Sequence, residues 1–323
     1  MAKLQSTEIV GVANRPATIC SNSVCMWFDT TNLKPMASYC GYGGAGTWSS
    51  GGALITARRV PAGAGTQNEG LVAGGYINSS AGVSCTEEYN GTSWSAGGAL
   101  ATARYSLAGA GKQNEGLVAG GNNGSYTSCT EEYNGTSWSA GGAMITARFE
   151  LARGGTQNAG LIVGGFNGSN LTCTEEYNGT SWSSGGAIIT ARRMPSGGAG
   201  SQNAGLVAGG LANAGVSCTE EYDGNSWSVG GSLITARWIS AGSGTQNEGL
   251  EVGGCTNSIS RVSCTEEYNG TSWSTGGALI SARERLSGAG IQGSSLAMSG
   301  YITGNVTCTE EYNKSLTIVD CIL

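Results

Sequence analysis

The residues able to do chemistry come in sets of six. A Glu-Glu pair recurs at 87–88, 131–132, 175–176, 220–221, 266–267 and 310–311, and a cysteine precedes each at Cys85, Cys129, Cys173, Cys218, Cys264 and Cys308. Paired carboxylates do acid–base work in glycosidases. Adjacent residues of a strand point to opposite faces, however, so neither pair member can help the other flank one bond. Six copies also fit poorly with a single active site. The arginine that ends each TAR or SAR triplet is the natural partner, and the expectation is a structural Arg–Glu network within or between repeat units. The chain has no histidine and only three aspartates, Asp29, Asp223 and Asp320. The common general base and the Ser-His arrangements are therefore missing, and the chain reads as non-enzymatic. The 11 cysteines lack the paired spacing of a metal site, so neither a metal nor a cofactor is expected. Equivalent cysteines of neighbouring units lie too far apart to bridge and read as buried thiols. Cys20 with Cys25, Cys255 with Cys264 and Cys308 with Cys321 remain open as disulfides.

These sets ride on one repeat, CTEEYNGTSWS, which returns letter for letter at Cys85, Cys129, Cys173 and Cys264, as CTEEYDGNSWS at Cys218, and shortened as CTEEYNKS at Cys308. Trp48, Trp94, Trp138, Trp182, Trp227 and Trp273 are spaced by 46, 44, 44, 45 and 46 residues. A fixed period of that length means a solenoid, propeller or array. Each period reads as four short strands: a flat run such as RRVPAGAG, a turn at GTQN, the apolar EGLVAGG, a loop, VSCTEEY, and TSWSAGGAL after Asn90-Gly91. Asn-Gly is the strongest two-residue hairpin signal, since a type I′ turn needs two residues at positive φ. No segment has apolar residues at helical spacing, and the 57 glycines would penalise a helix. Four antiparallel strands per period make a propeller blade, and the fold class is an all-β propeller.

Gly74-Gly75, Tyr89 and Trp94, and likewise Gly120-Gly121, Tyr133 and Trp138, resemble the kelch repeat. That resemblance places a double glycine after the second strand, a tyrosine in the third and a tryptophan in the fourth. It implies a kelch-like fold and is silent on function. Tyr89, Trp94, Tyr133, Trp138, Tyr177, Trp182, Tyr222, Trp227, Tyr268 and Trp273 are expected to fill the gaps between blades. Kelch-type copper oxidase chemistry needs histidine ligands, so that analogy fails. Pro16 aligns with Pro61 and Trp48 with Trp94, so residues 15–57 read as a degenerate first blade. The expectation is seven blades, near 15–57, 58–103, 104–147, 148–191, 192–236, 237–282 and 283–323, in one domain of residues 15–323 preceded by a segment 1–14. The alternative is six blades plus an N-terminal hairpin. SLTIVDCIL is expected as the fourth strand of the last blade, and residues 6–12 as a strand pairing with that blade to close the ring and remove free edges.

The turns at TQN and YNGTS barely change among copies, whereas the loops between the second and third strands differ freely. The position after each repeat arginine carries Arg59, Tyr105, Phe149, Arg193, Trp238 and Glu284: two cations, three aromatics and an anion. Divergence confined to one face of duplicated units suggests a binding face, and these six are the candidate ligand or partner residues. The net charge of −6 without a Lys/Arg cluster argues against nucleic acid. No 18-residue apolar run exists for membrane insertion. The first residues lack the apolar core of a signal peptide. Asn90, Asn134, Asn178 and Asn269 head Asn-Gly-Thr triplets that match a glycosylation acceptor, which the hairpin turn explains. MAKLQSTEIVGV and CMWFDTTNLKPMASYCGYGGAGTW resemble the openings of phage virion proteins, whose short "DTT" hairpin occurs in tail fibres and appendages. The glycine-rich EEYNGTSW repeats are likewise similar in style to phage proteins. The resemblance implies a virion structural protein, made in the host cytoplasm, with other virion proteins and a host-surface glycan as partners and possible homo-oligomers through faces or the N-terminal segment. The alternative is a cellular, cytoplasmic lectin-like or scaffold module.

Overall fold

The computed structural model describes residues 24–29, 34–42, 44–77, 82–194 and 198–322. Two compact units result, Gly46–Asn313 and a smaller one drawn from both ends of the chain, Met1–Ala45 with Lys314–Leu323. The larger unit is a ring of six four-stranded antiparallel sheets, a β-propeller. Blade one consists of Ala62–Gly65, Gly70–Ala73, Thr86–Tyr89 and Trp94–Gly97, from the inner strand outward. Blades two to five repeat it, with inner strands Ala108–Lys112, Ala152–Thr156, Ala199–Ser201 and Ala241–Gly244. Blade six is built from Ser287–Ile291, Ser294–Met298, Thr309–Asn313 and, from the other end of the sequence, Thr47–Ser50.

The expected seventh blade is therefore absent, and the six-blade alternative holds. Trp48 pairs with Tyr312 as Trp94 pairs with Tyr89, so its alignment with the repeat tryptophans was sound, but the blade it completes is the last one. Leu316–Ile322, expected as the fourth strand of that blade, pairs with Lys34–Tyr42, which also pairs with Val24–Asp29, giving the smaller unit a three-stranded sheet. A ring closed by a strand from the opposite chain end gives the last blade its fourth strand, so every blade ends on an equally short outer edge. Residues 6–12 lie outside the described residues, as do Cys20 and Pro16.

The hairpin between the third and fourth strands also differs from expectation. Tyr89 faces Trp94 directly, so the loop holds four residues, not two. Gly91 alone takes positive φ, at 89°. Asn90 N–H donates to Ser93 O at 3.2 Å, and its Oδ1 accepts from Thr92 N and Ser93 N at 3.0 and 2.9 Å. The side chain thus replaces the second left-handed residue that a type I′ turn demands. The same geometry holds at Asn134, Asn178 and Asn269, and Asp223 reproduces it.

The invariant letters sit at blade interfaces. The first glutamate of each pair meets the arginine of its own blade: Arg58–Glu87, Arg104–Glu131, Arg148–Glu175, Arg192–Glu220, Arg237–Glu266 and Arg283–Glu310. The second glutamate accepts from the tyrosine of the next blade, as in Tyr133–Glu88 and Tyr177–Glu132 at 2.5 Å, with Tyr89–Glu311 closing the circle at 2.6 Å. Burial, and then donation to glutamate, push the Tyr133, Tyr177, Tyr222 and Tyr268 phenols up to about 12. Each tryptophan donates Nε1–H to a threonine of the preceding blade, for example Trp182 to Thr130 at 2.9 Å. The glutamine of each such turn spans to two carbonyls of the preceding blade, for example Gln113 to Gly70 O and Tyr89 O at 3.0 and 2.7 Å. The double glycine completes the set. Gly75 N–H donates to Arg104 O of the next blade at 2.9 Å, and a Cβ on Gly74 would stand 2.6 Å from that same oxygen. A side chain there would force the blades apart.

Candidate binding face and channel mouth

Each of the six sequence-selected positions forms an isolated β-bridge to the loop between the second and third strands of its blade: Arg59 to Tyr76, Tyr105 to Asn122, Phe149 to Phe166, Arg193 to Leu211, Trp238 to Cys255 and Glu284 to Tyr301. The bridges tie the variable loops to the variable positions, so the two kinds of divergence form one surface. Glu284 is buried and the other five are half-buried.

The side chains fall into two arcs. In one, Glu284 lies 3.4 Å from Arg261, whose guanidinium sits over Tyr301 at 4.9 Å, and Arg59 stacks between Tyr301 at 5.0 Å and Tyr76 at 4.7 Å. Tyr105 meets the edge of Tyr76 at 5.2 Å. In the other, Tyr126 stacks on Phe149 at 5.1 Å and 10°, Phe149 meets Phe166 at 6.0 Å, and Arg193 covers Phe166 at 4.6 Å. Trp238 belongs to neither arc. The structure thus links five of the six positions through aromatic and guanidinium contacts, which hold rings and cations in fixed planes at small entropic cost.

The sequence reading missed the next residue. Val60, Ser106, Glu150, Met194, Ile239 and Arg285 all take positive φ, between 48° and 60°. That conformation aims each backbone at its neighbour. Val60 N–H donates to Arg285 O at 2.8 Å, Ser106 N–H to Val60 O at 2.9 Å, and so on around all six blades until Arg285 N–H meets Ile239 O at 2.8 Å. The closed loop of hydrogen bonds rims the mouth of the central channel, and it sustains non-glycine residues in a conformation each would otherwise avoid. Its side chains are as varied as those of the neighbouring position. That variability was legible in the sequence and was the signal available to find them.

Beneath the rim lies a cup of about 70 Å³. Its floor is Arg153, which occupies the inner-strand position held by Gly63, Gly109, Gly198, Gly242 and Gly288 in the other blades. Arg153 crosses the channel from blade three to blade six, where Nη2 donates to Ser287 Oγ at 3.2 Å and Gly288 O at 2.8 Å. Glycine at the equivalent positions lets the inner strands converge: a Cβ on Gly63 would stand 2.3 Å from Ser287 Oγ. Burial lowers the Arg153 guanidinium to about 10.

Glu150 is the carboxylate of the rim. Its side chain is only 9% exposed, and its Oε2 lacks a hydrogen-bond donor, with Arg193 Nε 3.7 Å away. Burial lifts its carboxyl to about 7 against the opposing pull of Arg193 and Arg285. A group whose proton is held more tightly in the folded chain favours folding at low pH, and that contribution fades as pH rises through about 7. Glu150→Gln is therefore expected to stabilise the protein at pH 8 by on the order of 2–3 kcal/mol and to leave it unchanged at pH 4. Urea denaturation at the two pH values checks this, and equal midpoints for variant and parent at pH 8 would refute it.

Among the described residues, no group of three His, Cys, Asp or Glu side chains could hold a metal ion. Cys255 and Cys264, one of the open disulfide pairs, are both free thiols, as is Cys308. Arg192 Nη1 lies 2.6 Å from the Cys218 sulfur and Arg237 Nη1 2.6 Å from that of Cys264, so repeat cysteines flank the buried guanidiniums. The connector that leads to each arginine carries a further set, Ile55, Ile145, Ile189, Ile234 and Ile280, each about 60% exposed, with Ala101 as the sixth member. Scans against protein-family models and against curated proteins find no match for the chain.

Proposed function

We propose that the propeller is a non-enzymatic binding module of kelch-like type, displayed on a phage particle as an appendage, fibre or capsid decoration. Its variable face would hold a host-surface glycan or another virion protein. One observation carries the binding reading. The positions that diverge among otherwise matching blades converge on a single surface of flat aromatic rings and oriented guanidiniums around the channel mouth. Rings held at fixed planes suit sugar stacking, and paired guanidiniums suit polar groups between the rings. The virion reading is supported by the N-terminal resemblance, whose "DTT" stretch joins two strands that pair as an antiparallel hairpin, Val24–Asp29 with Lys34–Tyr42. The five exposed isoleucines favour a protein as a second class of occupant, since isolated apolar side chains at equal spacing give a sugar little to bind.

Replacing Tyr105, Phe149 and Trp238 together by alanine is expected to weaken attachment to the natural partner at least 100-fold while the fold persists, since each side chain is half-buried at the rim of a blade. Adsorption of particles carrying the variant to host cells, with circular dichroism of the purified chain as control, reads both effects. Unchanged adsorption would end the binding-face reading, and mass spectrometry of purified particles tests the virion reading separately.

A further inference from the structure

The channel mouth is cationic in a chain whose formal net charge is −6. Arg153 forms its floor, Arg285 its rim, and Arg193 borders its single carboxylate, Glu150. Arg153 donates to neutral oxygens, those of Ser287 and Gly288, so a half-buried guanidinium lines the cup with no ion pair of its own among the described residues. Arg285 is partly engaged by Glu284 at 3.5 Å and remains 30% exposed. Apolar walls from Leu107, Leu151, Met194, Ile239 and Leu286 surround these groups.

We propose that this cup binds an organic carboxylate, received by Arg285 and Arg153, with Glu150 in its neutral acid form donating a further hydrogen bond. The proposal rests on the reading of this face as a binding face and is independent of the virion reading. A half-buried guanidinium without an ion pair, Arg153, beside a second that is only partly engaged, Arg285, favours an anion, because charge-assisted hydrogen bonds to a carboxylate are stronger than those to neutral oxygens. The apolar walls favour an organic anion over a bare inorganic one, since water-ordering phosphate gains nothing from leucine and methionine. Glu150 would repel an anion while ionised, so uptake of the ligand must carry a proton with it. The charged and titratable groups bearing on Glu150 are Arg193, Arg285 and Tyr105, with Arg153 below. Burial, opposed by the pull of Arg193 and Arg285, holds the Glu150 carboxyl at about 7, so its neutral form is available near neutrality. Chemically, the acidic group can come from a sugar acid or from an acidic peptide side chain, and the two differ in what surrounds the carboxylate.

Isothermal titration of the full chain with glucuronate, glutarate, glucose and inorganic phosphate, at pH 6 and pH 8 and constant ionic strength, tests the proposal. Glucuronate or glutarate is expected to bind while glucose does not, and affinity is expected to fall roughly tenfold from pH 6 to pH 8 as the neutral fraction of a carboxyl titrating near 7 falls. Tighter glucuronate assigns the site to sugar acids, and tighter glutarate assigns it to acidic side chains. Arg153→Gly, which installs the residue of the other blades, and Arg285→Gln are each expected to weaken binding at least tenfold. Glu150→Gln is expected to bind equally at both pH values. Equal binding of glucose, phosphate binding as tight as that of the organic acids, unaltered affinity in both arginine variants, or a persistent pH dependence in Glu150→Gln would each overturn the proposal. Should the arginine variants fail to fold, the Glu150→Gln titration decides. Failure of the binding-face reading would appear instead in partner attachment by the Tyr105, Phe149 and Trp238 variant, a readout separate from the titrations of Arg153→Gly, Arg285→Gln and Glu150→Gln.

Discussion

Arg192→Ala is expected to destabilise the propeller by about 3–5 kcal/mol, among the largest single-residue effects in the chain. Arg192 is fully buried, and its Nη2 lies 2.9 Å from Glu220 Oε1, a carboxylate whose side chain is 2% exposed. Nη1 also donates to Cys218 O at 3.1 Å. Removing the guanidinium leaves a buried anion with no compensating charge, and that imbalance costs more than the pair contributes. Glu220 cannot simply be neutralised as well. Its oxygens accept Ile189 N–H at 2.6 Å and Thr190 N–H at 3.2 Å, which pins the connector into the next blade. An Arg192→Met, Glu220→Leu double variant would recover the electrostatic loss but strand two backbone donors, so it is expected to recover only part of the stability. The surface pair Lys112–Glu115, at 3.6 Å and more than 60% exposed on both sides, is the control. Lys112→Ala should change stability by less than about 0.5 kcal/mol. Urea denaturation curves read all three variants, and an Arg192→Ala midpoint equal to that of the parent would refute the role assigned to the buried pairs.

How far the sequence reached depends on whether a feature is written along the chain or only across it. The repeat period, the order of the four strands and the double glycines are local, and the fold class followed from them. The glutamate pairs were half legible. Strand alternation separated the two carboxylates, and the arginine was the evident partner of one. That the second meets a tyrosine of the next blade, as in Tyr133–Glu88, is a contact between blades that no local pattern records. Blade count failed for a related reason. Pro16 and Trp48 align with a blade in order, yet Val24–Asp29 between them pairs within the small sheet while Thr47–Ser50 pairs with Thr309–Asn313, more than 250 residues on. Spacing alone cannot say which sheet a strand joins. The variable positions were legible as divergence, but the channel mouth was not, because Val60, Ser106, Glu150, Met194, Ile239 and Arg285 become neighbours only when six blades close. Arg153 stands in a run of small residues and was not singled out, because its meaning appears only once the channel around it is seen.

Closure of the ring gives the second large effect. Trp48→Ala is expected to cost about 3–5 kcal/mol, as truncation of a buried tryptophan generally does. Trp48 is 8% exposed, packs on Tyr312 at 4.9 Å and donates Nε1–H to Thr265 Oγ1 at 2.9 Å. Trp182→Ala removes the same contacts in blade three and should cost a similar amount. The two variants differ in what happens next. The strand of Trp182 is joined to its blade by a short covalent hairpin, so losing the ring enlarges a cavity but leaves the strand beside its partner. Thr47–Ser50 is held to Thr309–Asn313 by sheet hydrogen bonds and side chains alone. With the tryptophan gone, that strand can detach without the rest of the propeller unfolding, which lowers the cost of local opening below that of global unfolding. Detachment frees the edge of Thr309–Asn313 and removes a donor to the glutamate network, because Gly46 N–H, next to the detaching strand, donates to Glu267 Oε1 at 3.4 Å beside the Tyr312 phenol. An exposed strand edge of this kind pairs readily with another chain. Hydrogen exchange should therefore show Thr47–Ser50 and Thr309–Asn313 exchanging at least 100-fold faster in Trp48→Ala, with self-association rising with concentration. In Trp182→Ala protection should fall evenly across the blade and the chain should stay monodisperse relative to the parent. The same exchange pattern in both variants would mean that the non-covalent strand closes the ring no more weakly than a hairpin does.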